Sequence, residues 1–308
     1  MSFGLPLRNG VSVSATSTVA LGSWSRASVD DFRVAMPVGS TYTRTGDAKG
    51  QTVAGAVQTF AADAPQRTDR GLALEPAATN ILLRSQEFDN ASWIKAAAGT
   101  GVIPVVTAND AIAPDGTLTA DKVVMSLAGG TGSGNRSVLQ QSVAGLTATA
   151  SYNNSYYVKG VAGEQIVYRS VNNNAYGGHT FTGGWDRIDR TETAATVSST
   201  IELGLRGGQA FPASDAVTFH IWEGQLVLGT VASSPITTTS ASASRSLPVF
   251  TEPVPPNRTQ ALLTYADAGT TLVTGLTPGG TFNEASAVIG ASKGRFGTSE
   301  LVTRVWYP

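Results

Sequence analysis

Between Ser199 and Leu205 the side chains alternate strictly: Ile201, Leu203 and Leu205 are apolar, while Thr200, Glu202 and Gly204 are small or polar. A period of two is the mark of an extended strand with one buried and one solvated face, because successive side chains leave a pleated backbone on opposite sides. The pattern recurs. Ala216–Leu228 sets Val217, Phe219 and Ile221 against Thr218, His220 and Trp222, and Tyr152–Lys159 sets Tyr152, Tyr156 and Val158 against Tyr157 and Lys159. Ala120–Leu127 places Val123, Met125 and Leu127 on one face, and Ser137–Val143, Glu164–Val171 and Gly178–Arg187 are further candidate strands. Seven or more short strands between about 80 and 240, with turn residues between them and almost no helical periodicity, predict an all-β fold. A double-sheet jelly-roll β-sandwich manages its strand edges in this way.

Composition agrees with that architecture. Of 308 residues, 41% are hydrophobic, enough for a core, whereas only 14% are charged. The 34 glycines exceed the usual share of about 7% and suit a turn-rich chain. With a net charge of −1 there is no basic footprint for nucleic acid and no polybasic patch for a membrane surface. Cysteine is absent, so disulfides and thiolate metal sites are excluded. No apolar run reaches the roughly 18 residues of a membrane span, and the N-terminus lacks the apolar centre of a secretory signal, so neither membrane insertion nor a signal peptide is expected.

The flanks read differently from the middle. Residues 1–79 carry scattered apolar pieces (Val11–Val13, Val19–Leu21, Phe32–Val34) among Gly, Pro, Ser and Thr, and are expected to form an extended attachment arm. Residues 241–258, with Pro248, Pro253, Pro255 and Pro256, read as a proline-rich linker. Residues 259–308 form a small β unit around Thr277-Pro-Gly-Gly280, too short to be stable alone. Because arm and tail look unable to bury their own apolar residues, a homo-oligomer is expected. The stretch 80–95, NILLRSQEFDNASWIK, opens the sandwich, with Trp93 as a core residue.

Several motifs occur in a fixed order: FDNASWIK, then Ala113-Pro-Asp-Gly-Thr-Leu-Thr-Ala-Asp-Lys122, then Ser155-Tyr-Tyr-Val-Lys-Gly160, then Trp222-Glu-Gly-Gln-Leu226 ahead of Ser234-Pro-Ile-Thr-Thr-Thr239. Together they resemble bacteriophage structural proteins of the tail, baseplate, collar or head-spike type that carry a carbohydrate-binding-module-like jelly roll. Thr41–Arg44 and Asp69–Glu75 resemble the arm preceding that module, and Thr274–Phe282 resembles a C-terminal piece of similar phage proteins. Two departures stand out: Ala243-Ser-Arg-Ser246 replaces a Thr-Arg-Ala pattern, and a short β unit follows the module where many such proteins continue into a second lectin-like domain. The resemblance implies a virion location, other virion structural proteins as partners and host-surface polysaccharide as a ligand.

Sugar sites on β-sandwiches combine an aromatic platform with a few hydrogen-bonding side chains. The loop Asn172-Asn-Asn-Ala-Tyr-Gly-Gly-His179 supplies that inventory through Asn172, Asn174, Tyr176 and His179, with Trp185 and Arg187 close behind. Tyr157, His220 and Trp222 are expected to point away from the sandwich core and complete the candidate glycan site. The bland alternative for the loop is an Asn/Gly turn, and for Trp222 a residue that covers the sheet. With two histidines and no cysteine, no catalytic or transition-metal site is expected. Structural calcium at Asp89-Asn90, Asp110 or Asp115-Gly116 would compete with plain turns. Glu202 and Glu223 are the carboxylates that could serve a polysaccharide-degrading enzyme if they shared one sheet face. The chain is therefore read as a non-enzymatic particle protein, its jelly roll either binding host glycan or serving only as architecture.

Overall fold

The computed structural model describes residues 29–172, 176–209, 214–267, 269–283 and 302–306, and among these every regular element is a β-strand. Ten strands form two five-stranded antiparallel sheets packed face to face. The first sheet runs Asp186–Thr193, Ser151–Gly160, Ala216–Leu228, Leu118–Ser126 and Val102–Ile112. The second runs Gly177–Thr180, Gln165–Arg169, Ser198–Arg206, Arg136–Ala144 and Ile94–Ala98. The alternation assigned from sequence sets the core: Val123, Met125, Tyr152, Tyr156, Val158, Val217, Phe219 and Ile221 face Leu139, Ile166, Tyr168, Ile201, Leu203 and Leu205. The strands differ from expectation in two ways. Gly178–Arg187 divides into Gly177–Thr180 and Asp186–Thr193, which belong to opposite sheets, because the turn chemistry at Gly183 (φ 92°) lets the chain cross between them. Ile94–Ala98 and Val102–Ile112 lacked a clear alternation and were not expected as strands; both are edge strands with partly solvated faces.

The opening corner closes one end of the sandwich. Trp93 is 1% exposed, stacks at 4.8 Å on Phe88 and at 6.3 Å on Tyr156, and donates its indole N–H to Arg84 O at 3.0 Å. Gly224 lies where these three rings converge, and a Cβ there would sit 3.2–3.3 Å from all of them. Asn80 secures the same region with four hydrogen bonds: its Nδ2 donates to Gly224 O and Ile236 O, and its Oδ1 accepts from Leu82 N and Leu226 N.

The arm and the tail share one second core. Phe32, Leu72 and Leu74 pack with Phe250, Val254, Ala261, Leu263, Tyr265, Phe282, Val302 and Val305. Strand Val302–Trp306 pairs with Val29–Asp31, Gly71–Leu72 and Gln260–Tyr265, so the two ends of the chain complete one sheet. The proline-rich segment is also engaged. Ala243–Arg245 pairs with Ala78–Asn80, and Val249–Pro253 lies between Thr41–Thr43 and Thr281–Asn283. Part of the apolar set that motivated an oligomer is thus buried within the chain, whereas Val34, Val38 and Val53 are exposed. Val11–Val13 and Val19–Leu21 lie outside the described residues, and Phe32 is a buried turn residue following a strand rather than part of one.

Two buried ion pairs hold this second unit in place, one to the sandwich and one between its own segments. Lys49 pairs with Glu223, and Arg245 pairs with Glu75 at 2.9 Å, all four being nearly inaccessible. Burial alone would push the Glu75 carboxyl up, but the Arg245 guanidinium and hydrogen bonds from Ser234 and Gln66 outweigh it and hold the carboxyl below its ordinary value of 4.5. A depressed folded-state value means that Glu75 stabilises the fold fully above the unfolded value and loses that contribution as pH falls through the folded one. Melting temperature measured from pH 7 down to pH 2 should therefore fall on the acid side of 4.5, and Glu75→Gln should be less stable at pH 7 with a flatter acid limb. In urea denaturation, Trp93→Ala should cost about 3–5 kcal/mol, as expected for a fully buried large aromatic.

Candidate binding face

The two outer faces of the sandwich have different fates. On the first sheet, Tyr157 and Trp222 do turn away from the sandwich core, but they are only 2% and 0% exposed. They pack edge to face at 5.3 Å, and Val57, Ala113, Ala120 and half-buried Trp185 close around them. The Lys49 ammonium lies 4.5 Å from the Trp222 ring, and the Trp222 indole N–H donates to Thr119 Oγ1 at 3.0 Å. Arg187 is drawn into the same interface: its guanidinium sits 5.5 Å from the Tyr157 ring and donates to Ser233 O at 2.5 Å. Burial pushes the Tyr157 phenol up to about 12. These aromatics were expected to face a ligand; instead they anchor the arm hairpin, residues 48–60, to the sheet.

The remaining expected site residues are dispersed. His220 Nε2 is 2.9 Å from Asp110 Oδ2, and Lys122 donates to Asp110 Oδ1 at 2.7 Å, at the margin of the first sheet. Hydrogen bonds from Lys122 and then His220 hold the Asp110 carboxyl below its ordinary value. His179 pairs with Asp186 at 3.2 Å and stacks edge-on against Phe181. The Asn172 backbone N–H donates to Glu192 Oε2 at 3.0 Å, and Asn174 lies outside the described residues. Asp115 Oδ1 accepts from the Thr117 N–H and hydroxyl, and Asn90 Oδ1 accepts from Ser92 N, so both motifs form local turns. Among the described residues no three metal-ligating acidic or histidine side chains converge.

Tyr176 alone of the expected residues reaches a second concentration of functional groups, on the open outer face of the second sheet. Register fixes its composition. Ile94, Gln140, Glu202 and Arg169 form one row across four strands; Ala96, Val138, Gly204 and Val167 form the next; Ala98, Arg136 and Arg206 form the third. Glu202 is 1% exposed and central. Its Oε1 accepts the Tyr176 hydroxyl at 3.0 Å and lies 3.8 Å from Arg206 Nε, while its Oε2 lies 3.4 Å from Arg169 Nη2 and 4.0 Å from Arg136 Nη1. Four residues of strand span about 13 Å, so the Arg206 side chain must lie back along the sheet over Gly204 to reach Glu202. Arg136, directly opposite Arg206, must do the same over Val138, which explains why outward-facing Val138 is fully buried. The Tyr176 ring lies 5.1 Å from the Arg206 guanidinium and 5.5 Å from that of Arg169. Burial, then the nearby Glu202 charge, push its phenol up to about 12.

At one end of the same two central strands, residues 142–144 and 198–200 line a cleft of about 340 Å³. Ser142 and Ser198 are exposed and Thr200 is half-buried, one row beyond Gln140 and Glu202. The open face thus carries hydroxyls, an amide, an aromatic ring and three guanidiniums. Glu202 and Glu223 lie on the outer faces of opposite sheets, each engaged by cations, so they cannot flank one glycosidic bond. Sequence reasoning missed Arg136, Arg169, Arg206 and the role of Glu202. Their outward parity could be read from alternation; their convergence depends on the pairing of strands distant in the chain.

No protein-family model matches this chain, and no curated protein matches it. Solved structures similar to it include a CBM4 domain (16% identity, TM-score 0.30), with 47% of this chain covering 84% of that one. The enzymatically active domain of bacteriophage CBA120 tailspike protein 4 aligns at 14% identity and TM-score 0.32, with 47% of this chain covering 21% of that one. A Clostridium thermocellum endo-1,4-β-D-xylanase 10B carrying CBM22 and GH10 modules, complexed with xylohexaose, aligns at 11% identity and TM-score 0.26, with 50% of this chain covering 28% of that one.

Replacing Glu202 by Leu would leave three guanidiniums facing one another without their carboxylate. Its removal should cost about 2 kcal/mol, below the 3–5 kcal/mol of a fully buried pair because the arginines are partly solvated. High salt should recover part of the lost melting temperature, since it screens like-charge repulsion.

Proposed function

We propose that this chain is a non-catalytic, saccharide-binding structural protein of a tailed-phage or phage-like particle, and that the outer face of its second sheet holds the sugar. One observation carries the saccharide reading. Of the two outer sheet faces, the one bearing Tyr157 and Trp222 is covered by the arm, whereas the other presents Tyr176, Gln140, Thr200 and Ser142 beside a cleft of about 340 Å³. That volume and mixture fit a small polar ligand held by a few placed hydrogen-bonding groups and a ring. The ordered motif series from FDNASWIK to Ser234–Thr239 supports the particle setting, where the partners would be other virion proteins or further copies of this chain, and the ligand a host-surface polysaccharide.

A purely architectural role has its own support: the aromatic pair best suited to stack on a sugar is spent on holding the arm to the sandwich. Screening the full chain on a glycan array separates the two readings. Under the saccharide reading, a defined set of glycans is retained, and Thr200→Trp, which fills the cleft, weakens retention at least tenfold without changing the melting temperature by more than a few degrees. Absence of retention for every glycan at millimolar concentration would leave the architectural role.

A further inference from the structure

We infer that the open face selects acidic saccharides, with Arg136 and Arg206 holding the carboxylate of a uronic-acid-type residue; this rests on the saccharide reading above. The first ground is charge. Arg136 and Arg206, which reach Glu202 only at 4.0 and 3.8 Å, bring two positive charges to the single negative charge of Glu202 on one sheet face of a chain whose net charge is −1. A neutral sugar gains nothing from that excess; a carboxylate does.

The second ground is unused bonding capacity. Charge-assisted guanidinium–carboxylate bonds form at about 2.7–2.9 Å, whereas Arg206, Arg169 and Arg136 stand 3.8, 3.4 and 4.0 Å from Glu202. The Tyr176 hydroxyl donates to that carboxylate at 3.0 Å, closer than any of the three guanidiniums. Among the described residues, Arg136 Nε and Arg206 Nη1 are buried and have no hydrogen-bond partner. A buried donor without an acceptor costs on the order of 1–3 kcal/mol, so the protein does not saturate either guanidinium.

The third ground is preorganisation. Tyr176 lies against the Arg206 and Arg169 guanidiniums, at 5.1 and 5.5 Å, and restrains their planes. Glu202, only 1% exposed beneath them, fixes their heads over Gly204 and Val138. Glu202 is then a positioning residue, and the partly solvated Arg136 and Arg206, with side chains 32% and 19% exposed, are the ones a ligand can reach. The hydroxyls of Ser142 and Thr200 and the Gln140 amide, on the same two strands, suit the remaining sugar hydroxyls.

The test uses the full chain against oligogalacturonate, oligomannuronate and polysialic acid fragments. Methyl-esterified oligogalacturonate, cello-, xylo- and manno-oligosaccharides are the neutral probes. Expected are acidic hits, at least tenfold weaker binding to the ester than to the free acid, and affinity that falls with added salt. Arg136→Gln and Arg206→Gln should each weaken the acidic hit about five- to fiftyfold with little change in melting temperature, whereas Lys122→Gln, on the opposite sheet, should leave it unaltered. Equal affinity for acid and ester, or neutral hits alone, would overturn the acidic selectivity and leave the saccharide reading standing. Retention of none of the probes would overturn both.

Discussion

The buried carboxylate of Glu223 is the point on which the assembly of this protein depends. It sits at a β-bulge, with φ 51°, where the Ala216–Leu228 strand gains one residue against Ser151–Gly160. The bulge turns Trp222 and Glu223 to the same outer side and returns Gly224 and Leu226 to the core. A carboxylate there cannot remain buried without donors, because desolvating an unpaired charge is prohibitive. Three separate segments supply them. Lys49 comes from the arm, Ser85 and Gln86 from the opening corner at 3.1 and 2.8 Å, and Thr237 from the returning chain at 2.5 Å. Satisfying one charge therefore recruits the arm, the corner and the return segment to one place.

That recruitment decides which face of the sandwich remains open. Once Lys49 is held at Glu223, its ammonium covers Trp222, and the hairpin of residues 48–60 seals Tyr157 and Trp222 from water. Glu75, paired with Arg245, accepts the Ser234 N–H at 2.9 Å and so ties the arm to the returning chain, while Asn80 fastens the opening corner to the Ala216–Leu228 strand. Among the described residues nothing covers the second sheet in this way: Ile94 stays 47% exposed and the Arg136 side chain 32%. The face with arginines and hydroxyls stays accessible, and the face with the largest aromatic surface becomes internal structure.

The same geometry separates two carboxylates that look alike in the sequence. Glu202 and Glu223 are each buried on an outward-facing strand position. Glu223 is met by four donors, one of them the Lys49 cation, and acts as a fastener between units. Glu202 is surrounded by three guanidiniums at separations longer than good hydrogen bonds, so it organises cations without consuming them. One site is closed and saturated; the other is open and carries positive charge.

The sequence by itself determined the all-β class, most of the sandwich strands and the inward set from Val123 to Leu205, because a period of two allows one buried face and no other. It also marked Trp93 as a core residue and Asp115-Gly116 as a turn, since both follow from local chemistry. It placed Tyr157 and Trp222 outside the sandwich core, which is correct, but could not foresee that a segment more than a hundred residues earlier would cover them. It could not show that the chain ends share a core, or that Arg136, Arg169 and Arg206 meet over Glu202. Alternation fixes the side of a sheet on which a residue lies. Which strands become neighbours, and which faces are then covered, is set by contacts between distant segments, and only the tertiary structure decides that.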